Sequence, residues 1–130
     1  MRLRIAVVAL VAVVIAALVN AFVVTGATRA AEPFAGGHVL QLDGPDLNVR
    51  EYGPPGERAI VLLHGYSASI EWWEKVAPQL AEEFSVVVPD LRGYGGSGRP
   101  EGGERHKNYS FRAMAQDQVE VMQELGYDHF

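Results

Sequence analysis

The sequence contains no cysteine, which excludes disulfides, a thiolate nucleophile and any Cys-ligated zinc, and leaves the redox compartment without a mark. No acidic residue precedes Glu32, and no basic stripe follows Arg29. From Glu32 onward eight bases stand against sixteen acids, a net charge of −8. Phosphate backbones are bound by clustered Lys and Arg, so no nucleic-acid partner is expected. There is also no Gly-Lys-Ser/Thr after the glycine-rich segment GYGGSG (Gly93–Gly98). A nucleotide-binding loop of the Walker kind is therefore set aside. No internal repeat is visible, and no metal or cofactor is expected.

What the chain does have begins with an apolar run, IAVVALVAVVIAALVNAFVV from Ile5 to Val24, interrupted only by Asn20. As a helix it would span about 30 Å at ~1.5 Å per residue, the thickness of one bilayer core. Arg2, Arg4 and the terminal amine precede it, whereas Arg29 beyond it is offset by Glu32; this asymmetry predicts a single-pass anchor with the folded part outside the cytoplasm. The competing reading is a cleaved export signal, with the small residues of TGATRAA as processing site and a secreted product. The anchor is preferred because the apolar region of a signal peptide is usually only ~7–15 residues long. A buried core helix fits poorly, since the run has no polar face at helical period. Residues 1–31 are thus assigned to the anchor and its flanks, 32–37 to a linker and 38–130 to a folded domain.

Within that domain Val39–Leu42 and Leu47–Tyr52 alternate in polarity around the turn signal DGPD, which predicts a β-hairpin at a sheet edge. AIVLL (Ala59–Leu63) and SVVV (Ser85–Val88) are continuously apolar and β-branched, the pattern of central parallel strands covered on both faces. Ile70–Phe84 between them is helical in pattern, with Trp73, Val76, Ala77 and Leu80 on one side and Pro78 placed to split it. Trp72 and Trp73 are expected to pack in the core rather than line a pocket. Glu82, Glu83, Glu101 and Glu104 read as solvated surface. Ser110 is positioned to cap a second helix, with Tyr109 and Met114 spaced as a hydrophobic staple, and Gly126 to close it in a left-handed conformation. Hairpin, strand, helix, strand, helix is the opening half of an α/β sheet.

Both central strands run directly into motif-bearing loops, HGYSAS (His64–Ser69) and PDLRGYGGSGRP (Pro89–Pro100). In open α/β sheets the C-terminal strand edge is where ligands bind. A strand ending in His-Gly, a Trp-containing helix and a strand ending in Asp-x-Arg-Gly-x-Gly-x-Ser together resemble the α/β-hydrolase family, over roughly residues 38–130. The resemblance implies that the backbone N–H of Tyr66 is an oxyanion donor, with Gly65 easing the turn. A fixed N–H of that kind is worth ~3 kcal/mol to a tetrahedral intermediate. It also implies that His64 is a structural histidine bracing its loop, and that Asp90, Arg92, Gly93, Gly95 and Ser97 build the second loop.

The family's nucleophile stands on a Gly-x-Ser-x-Gly elbow after the fifth strand, followed by an acid and a histidine. None of the three is found here; Ser69, Ser85, Ser97 and Ser110 lack the elbow context. Tyr127–Phe130 would lead toward the fifth strand, so the chain reads as a partial product, inactive alone, whose sheet stops at an unpaired apolar edge. The favoured activity of the intact protein is serine-dependent hydrolysis of an ester or similar acyl compound. The sister reading is an epoxide hydrolase or dehalogenase with an Asp nucleophile. Ser67 counts against it, because epoxide hydrolases usually carry His-Gly-x-Pro, and haloalkane dehalogenases often place Asn or Glu where Tyr66 stands. A third reading is a non-catalytic, membrane-tethered module.

Overall fold

The computed structural model describes residues 7, 9–19, 31, 33, 36–56 and 58–130. Residues 9–19 form helix α1, with Leu10, Val11, Val13, Val14, Ile15, Leu18 and Val19 all exposed. Among the described residues no helix is long and apolar enough to cross a membrane. The expected span from Ile5 to Val24 gains no support here; residues 5, 6, 8 and 20–24 of it lie outside the described residues, as do residues 32, 34 and 35 of the linker and residues 25–30 of the proposed processing site.

Four strands form one sheet in the order β1-β2-β4-β3. β1 (His38–Leu40) pairs antiparallel with β2 (Leu47–Tyr52), β2 antiparallel with β4 (Ser85–Pro89), and β3 (Ala59–Val61) parallel with β4. The hairpin around DGPD is present, though β1 begins one residue before its polarity pattern and ends two residues short of it. All five residues of β4 are buried, because the strand lies between β2 and β3 and is covered on both faces. Its alternation divides the core: Val87 joins Leu47, Val49, Ala59, Val121 and Met122 on one face, while Val86 and Val88 meet Ile70 and Ala77 on the other. β3 departs from expectation. It is a margin of the described sheet rather than a central strand; only Ala59 is buried, and Leu63 beyond it is exposed. Its free side has no paired strand among the described residues, so its apolar run is half covered.

The Ile70–Phe84 segment is broken up more than its periodicity predicts. A 3-10 turn over Ile70–Trp73 is followed by turns and a short helix α2 (Ala77–Leu80), with Pro78 in the first turn of α2, where its missing N–H disturbs nothing. Trp73 packs on the second cluster, but Trp72 and Val76 are exposed, against the expected packing of both. The four surface carboxylates Glu82, Glu83, Glu101 and Glu104 are exposed.

Helix α3 (Phe111–Glu124) is capped at both ends as its sequence requires. Ser110 Oγ accepts from Ala113 N–H at 3.2 Å. At the other end Gly126 (φ 84°) lets the Tyr127 N–H reach Met122 O at 2.8 Å and the Gly126 N–H reach Gln123 O at 2.9 Å, the paired bonds of a Schellman closure. Tyr127 then packs on the core cluster that holds Met122. Ser110→Ala removes the only side-chain cap of α3 and is expected to lower unfolding stability by about 1 kcal/mol; urea denaturation with an unchanged m-value checks it.

Candidate active site

Because β3 and β4 are adjacent and parallel, the two loops that leave their C-terminal ends open on one edge of the sheet. The second loop begins at Asp90, which is fully buried. Its Oδ1 accepts from Ile70 N–H at 2.8 Å, and its Oδ2 from Asn48 Nδ2 at 2.8 Å and Gly96 N–H at 2.9 Å. Its backbone is engaged as well, with Asp90 N–H on Asn48 O at 2.8 Å and Ser97 Oγ donating to Asp90 O at 2.6 Å. Ser97 Oγ in turn accepts from Asn48 N–H at 3.0 Å. One carboxylate therefore ties β2, the Ile70 turn and the second loop together, and full pairing is what makes its burial tolerable. Gly95 (φ 46°) is obligatory beside it: an added Cβ would stand 2.1 Å from Asp90 Oδ2.

Arg92 and Gly93 fasten the same loop to α3. Arg92 Nε donates to Asp117 Oδ2 at 2.6 Å, Nη2 donates to Asp117 Oδ1, and Nη1 reaches Asn108 O at 2.7 Å. The hydrogen bond that the guanidinium donates to Asp117 raises its pKa above the ordinary value, against the opposing effect of burial. Gly93 (φ 82°) lies where a Cβ would press on the Tyr109 ring at 2.7 Å. Burial pushes the Tyr109 phenol up, with Arg92 and Arg99 pulling the other way, and its hydroxyl donates to Pro100 O at 2.7 Å.

The first loop carries His64, buried at 3 % exposure, with its ring edge-on to Tyr94 at 5.3 Å. Leu91 N–H donates to His64 Nε2 at 3.0 Å, and Nδ1 lies 2.9 Å from Gly65 O. Ala68 N–H closes a turn on Gly65 O at 3.3 Å. The left-handed residue of that turn is Ser67 (φ 60°), not Gly65, where an added Cβ would meet nothing within 4 Å. The freedom attributed to Gly65 is thus needed two residues later, at a serine. The Tyr66 side chain is 92 % exposed, and among the described residues its N–H donates to no acceptor.

The structure thus brings Asp90, Ser97 and Gly95 into one network, joins His64 and Gly65 to it through Leu91, and sets Arg92 and Gly93 against α3. Three partners escaped the sequence reading. Asn48 is a polar residue in a strand whose neighbours Leu47 and Val49 are core, and Asp117 interrupts the α3 stripe between Met114 and Val121; a polar residue at an apolar register was the available signal in both. Tyr109 was read only as half of a staple. Two hollows of about 360 and 400 Å³ among the described residues lie elsewhere, one lined by residues such as Arg58 and Phe84 and the other by Tyr127 and His129, and neither includes the loop residues. Among the described residues no cluster could hold a metal ion.

Residues 58–130, more than half of the chain and including both loops, match the family model for the alpha/beta hydrolase fold. The chain belongs to the α/β-hydrolase family. It is 56 % identical over 72 residues to a fluoroacetate dehalogenase from Burkholderia sp, covering 55 % of this chain and 24 % of that protein. To a soluble epoxide hydrolase from Corynebacterium sp. strain C12 it is 46 % identical over 69 residues, covering 53 % and 22 % respectively. The crystal structure of ALR0039 from Nostoc sp PCC 7120 superimposes with a TM-score of 0.68 at 46 % identity, over 72 % of this chain and 32 % of that one. This α/β-hydrolase chain therefore spans about a quarter of the length of the curated relatives it matches.

Removing the Asp90 carboxylate leaves the Ile70 and Gly96 amides and the Asn48 side chain without the acceptor they share. Asp90→Ala is expected to lower unfolding stability by at least ~3 kcal/mol, since each buried donor left unpaired costs about 1–3 kcal/mol. A denaturant titration showing a change below 1 kcal/mol would remove Asp90 from its role as hub.

Proposed function

We propose that the whole protein is a dehalogenase or epoxide hydrolase, as its similarity to proteins of those names suggests, and that it hydrolyses a small molecule through a covalent ester intermediate formed on a carboxylate nucleophile. The preference for serine chemistry drawn from Ser67 gives way to that similarity. In this scheme the carboxylate attacks carbon and either expels a halide or opens an epoxide; water then attacks the carbonyl of the resulting ester. The tetrahedral intermediate of that second step carries an oxyanion, as an acyl-serine intermediate would. The nucleophile, its base and the base's partner would come from outside these 130 residues.

The observation that carries the reading is the similarity to a dehalogenase over 72 residues and to an epoxide hydrolase over 69; the Tyr66 N–H, on a loop at the C-terminal edge of two parallel strands and without a described acceptor, would serve its oxyanion. A backbone N–H with no acceptor of its own at that edge is suited to an oxyanion. The second reading, serine esterase, keeps the same donor and is favoured by Ser67 standing where epoxide hydrolases usually have proline.

Localisation outside the cytoplasm, with residues 5–24 as a membrane anchor, belongs to the same proposal. It is supported by Arg2 and Arg4 ahead of the apolar run and by the exposed apolar side chains of α1. After a carbonate wash the protein is expected to stay with membranes; a soluble product starting near Ala31 would replace the anchor with a cleaved signal.

Single turnover in ¹⁸O-water tests the chemistry. With fluoroacetate or a small epoxide, a carboxylate nucleophile takes ¹⁸O into the protein, whereas a serine enzyme turns over an activated ester, is labelled by a fluorophosphonate and takes none. In whichever assay responds, Tyr66→Phe is expected to keep nearly full turnover and a folded Tyr66→Pro, which has no N–H, to lose about 10²–10³-fold. Full activity in folded Tyr66→Pro would exclude the oxyanion assignment.

A further inference from the structure

Both ring nitrogens of His64 are used, and the two bonds are not equivalent. Leu91 N–H can only donate, so Nε2, 3.0 Å away, must present its lone pair. The hydrogen-bond network thereby assigns the ring proton to Nδ1, which donates to Gly65 O at 2.9 Å. Asp90 Oδ1 lies 3.7 Å from Nε2, beyond hydrogen-bond reach, and is already occupied by Ile70 N–H.

Gly65 C=O and Tyr66 N–H belong to one peptide group. That group is planar and trans, no cis bond being present among the described residues, so its carbonyl and its N–H point in opposite directions. A ring that holds the Gly65 oxygen toward itself therefore turns the Tyr66 N–H away from itself. The other supports agree with this: Ala68 N–H bonds the same oxygen, Tyr94 stands edge-on to the ring, and Asp90 Oδ1 holds the far end of the loop at Ile70. Asp90 and Leu91, consecutive in the second loop, thus secure both ends of the first.

We propose that His64 is a positioning residue that sets the direction of the Tyr66 N–H, and that Leu91 N–H selects the only neutral tautomer able to do so. The inference rests on reading Tyr66 as the oxyanion donor. It separates two tasks of one ring, joining the loops through Nε2 and aiming a peptide through Nδ1.

Two amide substitutions divide those tasks. In His64→Asn the side-chain NH₂ falls near the place of Nδ1 and can still donate to Gly65 O, with the tie to Leu91 lost. In His64→Gln the amide reaches the place of Nε2 and can accept from Leu91 N–H, but Gly65 O loses the ring's donor. In the whole protein the expected result is that His64→Asn keeps kcat within about tenfold. His64→Gln should lose about 10²–10³-fold in kcat, as for a missing oxyanion donor, with KM little changed. If kcat follows melting temperature in both variants, or His64→Gln is the more active, His64 only braces the loops and the inference fails. A ¹⁵N-imidazole spectrum of the unaltered protein tests it independently of any substrate: a proton on Nδ1 is required, and a proton on Nε2 overturns it. Absence of turnover in the unaltered protein with every substrate class above would sink the proposed function, while that spectrum would still decide for or against the assigned tautomer.

Discussion

A carboxylate leaves water only where other donors replace its hydration, and at Asp90 those donors come from three separate stretches of chain: a β2 side chain, the amide that opens the Ile70 turn and an amide of its own loop. The charge is fully buried, so none of these can be withdrawn without leaving an unsatisfied group in a low-dielectric surrounding. The start of the second loop and the far end of the first, at Ile70, are placed by that requirement. Gly95 illustrates how tightly it is enforced, since the space a Cβ would need is filled by the carboxylate itself.

The second anchor is the Arg92–Asp117 pair, a two-pronged contact that links the loop after β4 to the middle of α3. Pairs of this kind are poor evidence of net stability but strongly constrain geometry, because removing either partner strands the other charge. Its effect here is to fix where the N-terminal half of α3 crosses the loop, with Tyr109 filling the space over Gly93. Asp90 thus positions the loop toward the sheet, and Arg92 positions it toward the helix. The first loop is held to the second by Leu91 on His64 and by Asp90 on Ile70.

This dependence makes functional sense for an α/β hydrolase. An oxyanion donor is effective when it is already aimed before charge develops, so that no reorganisation is needed during the reaction. A loop closed by one weak turn bond and containing a left-handed serine at position 67 would not by itself hold a peptide in one orientation. The buried network beneath it supplies that rigidity. Under either proposed chemistry, a serine esterase or an ester formed on a carboxylate, the same donor would be used, because both pass through an oxyanion. For that reason the residues here identify the family more sharply than the substrate.

The family, the hairpin, the β-α-β order and both caps of α3 were legible in the sequence, because each rests on local chemistry: β-branched runs, turn residues, a serine before a helix and a glycine after it. The two loops were legible too, as motifs at the ends of apolar strands. What the sequence could not show is which distant groups meet. That Asn48 shares Asp90 with Ile70, that Asp117 receives Arg92, and that β3 is half covered while β4 is wholly covered depend on register and packing between segments far apart in the chain. The motif letters located His64 and Tyr66; only the tertiary structure decided that one imidazole joins the second loop to the Gly65–Tyr66 peptide, since a hydrogen bond's direction is set by the position of its partner in space and not by the residue that makes it.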